Sequence, residues 1–95
     1  MRDIIIQKKD DKLKKKDITT QKYLIGEMGI QVLTAILRGG NQIESISMLS
    51  GVSVACVKGR LPILIELNLI SQFISEDGLP GYEIIEKGKK FLELI

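Results

Sequence analysis

Histidine and tryptophan are absent from this 95-residue sequence, and cysteine occurs only once. Without histidine, the chain lacks the residue that most often serves as a general base or a metal ligand. It also has no cluster of metal-ligating residues and no glycine-rich phosphate loop, so catalysis has little to build on. We therefore expect no enzyme activity, no bound metal and no cofactor.

Long apolar runs are also missing, since none approaches the ~18 residues that a membrane span requires. The first residues, MRDIIIQKKDDK, lack the apolar stretch and the small-residue cleavage site of a signal peptide. The single cysteine, Cys56, has no partner for an internal disulfide, which fits a reducing compartment. With few cations and no histidine nearby, we interpret Cys56 as a small helix residue rather than a redox sensor. These features predict a cytoplasmic protein without a membrane partner.

Basic charge is concentrated at one end of the chain. Residues 1–22 hold eight basic and four acidic residues, net +4, whereas residues 23–95 hold six basic and eight acidic residues, net −2. The stretch QKKDDKLKKK has a single apolar residue and cannot bury a face, so we predict a solvated arm that is helical in part. The chain thus divides into a basic arm, residues 1–22, and one small folded domain, residues 23–95.

The folded part opens with an apolar segment, TTQKYLIGEMGIQVLTAILRGG. It predicts a helix capped by Thr19 or Thr20 and ended by the pair Gly39–Gly40. Apolar residues surround nearly the whole helix, which predicts burial on two sides. One side carries Leu24, Ile25, Met28, Val32, Ala35 and Ile36. The other side carries Ile30, Leu33 and Leu37, which belong either to the core or to an interface with a second subunit.

A second short helix is predicted over NQIESISMLS, followed by a tight turn at Gly51. Asn41 is its expected N-cap, with Glu44 completing a variant of the capping box. The residues expected to face inward are Ile43, Ile46 and Leu49.

A third helix is predicted to begin after the cap residue Ser53 and to run to about Leu67. Its inward positions are Val57, Leu61, Leu64 and Leu67. Pro62 lies well inside this helix and lacks a backbone donor, which predicts a kink or a break near Gly59–Pro62.

The remaining sequence predicts a hairpin and a closing helix. LISQFIS alternates as a strand does, and YEII can pair back against it. Between them, EDGLPG carries two turn signals, Asp77–Gly78 and Pro80–Gly81. EKGKKFLELI then predicts a short helix that buries Phe91 and Leu92, and Ile95 in addition.

These segments resemble the winged helix-turn-helix superfamily, in particular small regulators of the PadR, MarR and ArsR kind. IESISMLSGVS (43–53) resembles the second helix and turn, and VKGRLPILIELNLIS (57–71) the third helix entering the wing. YEIIEKGKKFLELI (82–95) is similar to the last strand and the closing helix. The resemblance covers about residues 23–95. It implies an α+β winged helix-turn-helix fold with a three-helix core, a two-stranded wing hairpin and a short C-terminal helix.

The resemblance implies a DNA-binding transcriptional regulator whose partner is double-stranded DNA. In such proteins the third helix enters the major groove, and its exposed residues contact bases and phosphates. The corresponding candidates are Ser53, Val54, Ala55, Lys58 and Arg60. Phosphate contacts from the arm would come from Lys8, Lys9, Lys12, Lys14, Lys15 and Lys16, although a charge run of this kind can also be merely solvated.

A homodimer is expected as well, because the first helix is apolar nearly all round and a domain this small often relies on a second subunit. The candidate interface residues are Ile30, Leu33, Leu37, Phe91 and Ile95.

One feature departs from the pattern of such regulators, because the predicted DNA-facing helix has few hydrogen-bonding side chains. Lys58 is its only strong donor, with Arg60 reaching from the side. Val54 and Ala55 can touch thymine methyl groups, but no residue offers the bidentate contacts that Arg, Asn or Gln make with bases. The predicted wing turn, EDGLPG, is acidic. The alternative is therefore a winged-helix module that binds another protein, rather than DNA, through this smooth face.

Overall fold

The computed structural model describes the backbone of residues 2–95 and the side chains of residues 20–95. Four helices and two strands follow one another along the chain: α1 (Arg2–Leu37), α2 (Ile43–Ser50), α3 (Val54–Glu66), β1 (Ile70–Ile74), β2 (Pro80–Ile84) and α4 (Glu86–Leu94). The strands form one antiparallel hairpin. This arrangement confirms the predicted α+β winged helix-turn-helix fold.

The first helix begins much earlier than the sequence predicted. α1 starts at Arg2, so Thr19 and Thr20 lie inside it and neither caps its start. The prediction of a mainly solvated arm was based on the absence of an apolar face. Lysine nevertheless has a good helix propensity, which favours a helix here. The helical backbone is interrupted at Gly26, with φ 65° and ψ −176°, a conformation open to glycine and strained for other residues. α1 therefore consists of two helical segments that meet at Gly26.

The core lies between the part of α1 that begins at about Ile25, the other three helices and the base of the hairpin. Its most completely buried apolar side chains are Ile25, Val32, Leu33, Ile46, Val57, Leu64, Leu69 and Phe91. The predicted inward face of α3 is confirmed at Val57, Leu61 and Leu64.

Four apolar residues that were expected to be buried are exposed instead. One of them is Ile95, just after α4, which is 40% exposed. In α1 the residues concerned are Leu24 and Met28, while Leu33 from the opposite side is fully buried. Leu24 precedes the break at Gly26. Its side chain therefore need not point to the same side of α1 as residues beyond the break that have the same helical spacing. In α2 the exposed residue is Leu49, because this helix has only eight residues and buries a single side chain, Ile46.

The start of α2 is capped differently from the prediction. Gln42, not Asn41, is the N-cap residue, and Ser45, not Glu44, is its partner. The Ser45 hydroxyl accepts hydrogen bonds from the backbone N–H of Gln42 at 3.1 Å and of Asn41 at 3.2 Å. A short hydroxyl at this position reaches the preceding backbone as well as a longer carboxylate does.

The third helix runs unbroken from Val54 to Glu66, so the predicted break near Pro62 is wrong. Proline removes one hydrogen bond, to the carbonyl of Lys58 four residues earlier. Both residues are exposed, so water can hydrogen-bond that carbonyl. The predicted cap is confirmed, since the Ser53 hydroxyl accepts a hydrogen bond from the Cys56 N–H at 3.3 Å.

The hairpin reverses direction once, between Ser75 and Leu79. The Gly78 N–H donates to the Ser75 carbonyl at 2.9 Å, and Gly78 has a φ of 82°. This confirms the Asp77–Gly78 turn signal. The second predicted turn is wrong, because Pro80 and Gly81 are the first two residues of β2. Proline is tolerated as the first residue of a strand, so the Pro80–Gly81 pair can begin β2 without forming a turn.

Within the described residues, no single helix is long and apolar enough to cross a membrane. Only α2 and α3 taken together, across the 105° bend between them, reach that length and composition.

Candidate nucleic-acid interface

An exposed face of α3 carries the residues that the sequence assigned to DNA contacts. Ser53, Val54, Ala55 and Lys58 are exposed, and Arg60 is half-buried. Val54, Ala55 and Lys58 share one side of the helix beside the buried stripe, because residues three and four apart are neighbours on a helix surface. Arg60 is only two residues from Lys58 and lies on another side of the helix. α2 and α3 meet at a bend of 105°, within the ~90–120° of helix-turn-helix pairs. The structure therefore brings Ser53, Val54, Ala55 and Lys58 together beside the turn.

Lys58 occupies the centre of this face. It lines two shallow grooves, one toward α2 and the wing turn and one toward the middle of the hairpin. The first groove also contains Val54 and Glu44, and the second contains Pro62 and Glu66. Lys58 is the only cation that lines either groove in the described part of the chain. The face can thus make one strong phosphate contact and several apolar contacts.

The wing presents acidic and apolar groups rather than basic ones. Residues 70–84 contain no lysine or arginine. At the tip, Ile74 is 68% exposed and Leu79 is 54% exposed, and Glu76 is exposed beside them. A wing of this composition has no cation with which to pair a phosphate.

The carboxylate of Asp77 organises the wing turn. It accepts hydrogen bonds from Gln42 Nε2 at 3.2 Å, from the Ser75 hydroxyl at 2.8 Å and from the Leu79 N–H at 3.1 Å. These bonds, with that from Gln42 the largest cause, hold the pKa of Asp77 below its usual value. The charge of Asp77 is therefore used within the protein to shape the turn.

Gln42 joins the wing to the helix-turn-helix unit, a role that sequence analysis missed. Besides Asp77, its Nε2 donates to the Ser75 hydroxyl at 3.1 Å. A second link lies nearby, where the Tyr82 N–H donates to the Asn41 carbonyl at 2.8 Å. These partners are 33 to 41 residues apart in the sequence, so no local sequence pattern predicts the contacts between them.

The candidate interface residues divide between core and surface. Leu33 and Phe91 are buried in the core of the single chain and have no free surface to offer a partner. Ile30 is half-buried, whereas Leu37 and Ile95 are exposed. Sequence analysis did not assign three further exposed apolar residues of α1 to this surface: Tyr23, Leu24 and Met28.

The arm lysines Lys8, Lys9, Lys12, Lys14, Lys15 and Lys16 fall in the backbone range of α1, and their side chains lie outside the described residues. Their contact with DNA stays a prediction. Among the residues that the structure describes, no group of three His, Cys, Asp or Glu side chains could hold a metal ion.

No protein-family model matches the chain, and no curated protein matches it. Solved structures do. A MarR-family transcriptional regulator from Silicibacter pomeroyi superposes with a TM-score of 0.69 at 9% identity, covering 81% of this chain and 55% of that one. A Staphylococcus aureus MepR–DNA complex gives a TM-score of 0.66 at 13% identity, covering 96% and 78%.

A third similar structure is MepR itself, a transcription regulator of the S. aureus multidrug efflux pump MepA, with a TM-score of 0.64 at 15% identity, covering 99% and 73%. The chain thus spans little more than half of the first of these proteins and about three quarters of the other two. At these identities the likeness defines the fold, and the chain has the winged helix-turn-helix fold of these regulators.

Proposed function

We propose that this chain is a DNA-binding transcriptional regulator in which phosphate contacts dominate and base readout is weak. The observation that carries the proposal is the exposed α3 face, which begins at the Ser53 cap and contains Lys58 at its centre. The likeness to MepR, which has been solved with DNA bound, supports this assignment.

The distribution of cations supports the predominance of phosphate contacts. Lys58 and Arg60 are the only basic residues of α3, and the wing has none. Basic residues in the arm would supply the remaining neutralisation, and such contacts position a protein without specifying a sequence. Val54 and Ala55 add apolar contacts of the kind that thymine methyl groups make. Specificity would then be modest and would depend on DNA shape as well as on base edges.

Replacing Lys58 by alanine tests the α3 assignment. We expect weaker binding to all duplex sequences alike, and a salt dependence of log affinity reduced by about 0.9, the value for one phosphate contact. Fluorescence anisotropy titrations with random duplex DNA at several salt concentrations measure both. The matched control is Lys89→Ala, on the exposed side of α4, which should change neither.

A Val54→Ala change should matter only for duplexes with a thymine beneath that side chain. If Lys58→Ala leaves both affinity and slope unchanged, α3 does not lie on the DNA in the proposed way.

A homodimer is the second part of the proposal. Tyr23, Leu24, Met28, Leu37 and Ile95 are exposed apolar residues on α1 and at the C-terminal end of α4, and burying them between two subunits would remove that surface from water. Such a dimer would present two α3 helices to successive major-groove faces about 34 Å apart.

Sedimentation velocity at micromolar concentration should give the mass of two chains. Leu37→Glu should shift the protein toward single chains, because it places a charge in an apolar interface. The matched control, Met48→Glu, changes an exposed residue of α2 and should leave the mass unchanged. Single chains at all concentrations would contradict the dimer.

The alternative function is a protein-interaction module, and the acidic wing with its exposed Ile74 and Leu79 is the observation in its favour. It predicts that the intact chain binds no duplex DNA in a salt-dependent manner, and that a charge at Val54 or Ala55 abolishes a protein complex. The same titrations therefore distinguish the two functions.

A further inference from the structure

The outer edge of β1 is open. The N–H of Ile85 donates to the carbonyl of Leu69, and the N–H of Ser75 donates to the carbonyl of Leu79. Because hydrogen-bonded and non-hydrogen-bonded pairs alternate in an antiparallel ladder, Ser71 and Phe73 also bond to β2. The backbone groups of Gln72 and Ile74 then point away from β2. In the described part of the chain the sheet has only two strands, so none covers this edge.

The opposite edge of the hairpin is different, since the Tyr82 N–H on β2 donates to the Asn41 carbonyl at 2.8 Å. Among the described residues, the β1 edge is thus the one without a backbone hydrogen bond to another element. Its accessible part is the segment Gln72–Ile74, because these residues are exposed whereas Ile70 is 2% exposed.

The features that usually protect an edge strand from pairing are missing from β1. Natural proteins place charges, proline or a β-bulge at such edges. Residues 67–75 contain no charged residue and no proline, and the register from Ile70 to Ile74 is continuous. An uncharged edge can meet an identical edge without repulsion between like charges.

We propose that this edge pairs antiparallel with the same edge of a second copy of the chain, with Phe73 on the two-fold axis. In that register Gln72 lies opposite Ile74 of the second copy, and both residues have outward N–H and C=O groups. Each strand thus supplies the donors and acceptors that the other requires. The pairing joins two hairpins into one four-stranded sheet, and it is independent of the proposed function.

The position of Phe73 fits this axis. Its ring lies over Gly81, so close that a Cβ at Gly81 would be 2.5 Å from the ring. Gly81 is the cross-strand partner of Phe73, and a glycine there leaves room for the ring across the hairpin face. Because each Phe73 ring leans toward β2, it lies away from the outer edge of β1 and leaves the edge backbone open to the second copy.

The register can be tested by disulfide trapping in a Cys56→Ser background, which contains no other cysteine. Two proteins are made, Gln72→Cys and Ile74→Cys, and oxidised separately and as a mixture. Opposite residues in a hydrogen-bonded pair have Cα atoms about 5.5 Å apart, within the ~4.4–6.8 Å that a disulfide spans. Two cysteines at position 72 are diagonal neighbours about 7–8 Å apart, beyond that range.

We expect a cross-linked species that joins the two different variants in the mixture, and little cross-linking of either variant alone. The absence of a mixed species would overturn the proposal. Equal cross-linking in all three samples would also overturn it, because random collision or a parallel, in-register aggregate would then account for the bonds.

A second measurement removes an edge donor without touching the hairpin. Gln72→Pro eliminates an N–H that points away from β2, and proline is tolerated on edge strands. Gln72→Thr keeps the N–H and serves as the control. In sedimentation velocity over a range of concentrations, the native chain and Gln72→Thr should show a reversible association step beyond the two-chain mass proposed above, and Gln72→Pro should lack that further step. If Gln72→Pro keeps its circular dichroism melting curve and associates like Gln72→Thr, the edge pairing is wrong.

Discussion

Leu64→Ala is expected to lower the free energy of unfolding by about 2–5 kcal/mol. Leu64 is fully buried in α3, and its neighbour on the same face, Leu61, is 3% exposed. Truncating such a side chain removes buried apolar area and leaves a cavity in a close-packed interior. A small domain has a total stability of about 5–15 kcal/mol, so the loss would be a large part of it.

Urea denaturation followed by circular dichroism, at one fixed protein concentration, measures this loss. Leu61→Ala should behave similarly. Leu79→Ala is the matched control, since Leu79 is 54% exposed on the wing and surface changes cost little. Losses below ~1 kcal/mol at both Leu61 and Leu64 would contradict the assignment of this core face.

Deleting residues 1–17 is expected to abolish most of the affinity for random duplex DNA. The deletion removes seven of the basic residues, Arg2, Lys8, Lys9, Lys12, Lys14, Lys15 and Lys16. Each of these that neutralises a phosphate contributes about 0.9 to the dependence of log affinity on log salt. If several do so, the slope should fall by several units.

The control for this deletion keeps the chain at full length. Changing the six arm lysines to glutamine removes their charge while retaining residues 1–17, so it separates electrostatic loss from any effect of shortening α1. Both variants should lose affinity and slope together in anisotropy titrations. If the deletion leaves both quantities unchanged, the arm is only a solvated charge run, whatever α3 does.

The parts of the fold that followed from sequence are those set by local chemistry. The hydroxyl of Ser53 caps α3, Gly78 provides the left-handed residue of the hairpin turn, and the period of Val57, Leu61 and Leu64 gives the buried face of α3. In each case residues within two turns of a helix, or within one hairpin turn, determine the outcome.

The predictions that failed depend on competition between local signals. Gly26 lay within a continuous helical pattern, and nothing in the sequence distinguished a glycine that breaks the helix from one that the helix tolerates. At Pro62 the error was the opposite one, since a break was predicted and the helix continues. Burial of Leu61 and Leu64 outweighs the loss of one hydrogen bond at an exposed position. At Pro62, burial of the neighbouring side chains therefore decided the outcome, and at Gly26 the conformational freedom of glycine permits the break.

Part of the candidate site could also be predicted from local sequence. Helical periodicity was enough to place Val54, Ala55 and Lys58 on one exposed face of α3. The hydrogen bonds of Gln42 to the wing turn required knowledge of which segments meet in three dimensions, since Gln42 and Asp77 are 35 residues apart. The composition of the wing, however, was visible from the outset as a stretch without lysine or arginine.

The links from Gln42 and Asn41 have a mechanical consequence. The hairpin is held at its tip through Ser75 and Asp77, and along its β2 edge through Tyr82. A hairpin fixed at two points cannot swing like a free lever, so the wing and the start of α2 must rotate together as a rigid body. A displacement of the start of α2 would therefore reach the tip of the wing directly through Gln42.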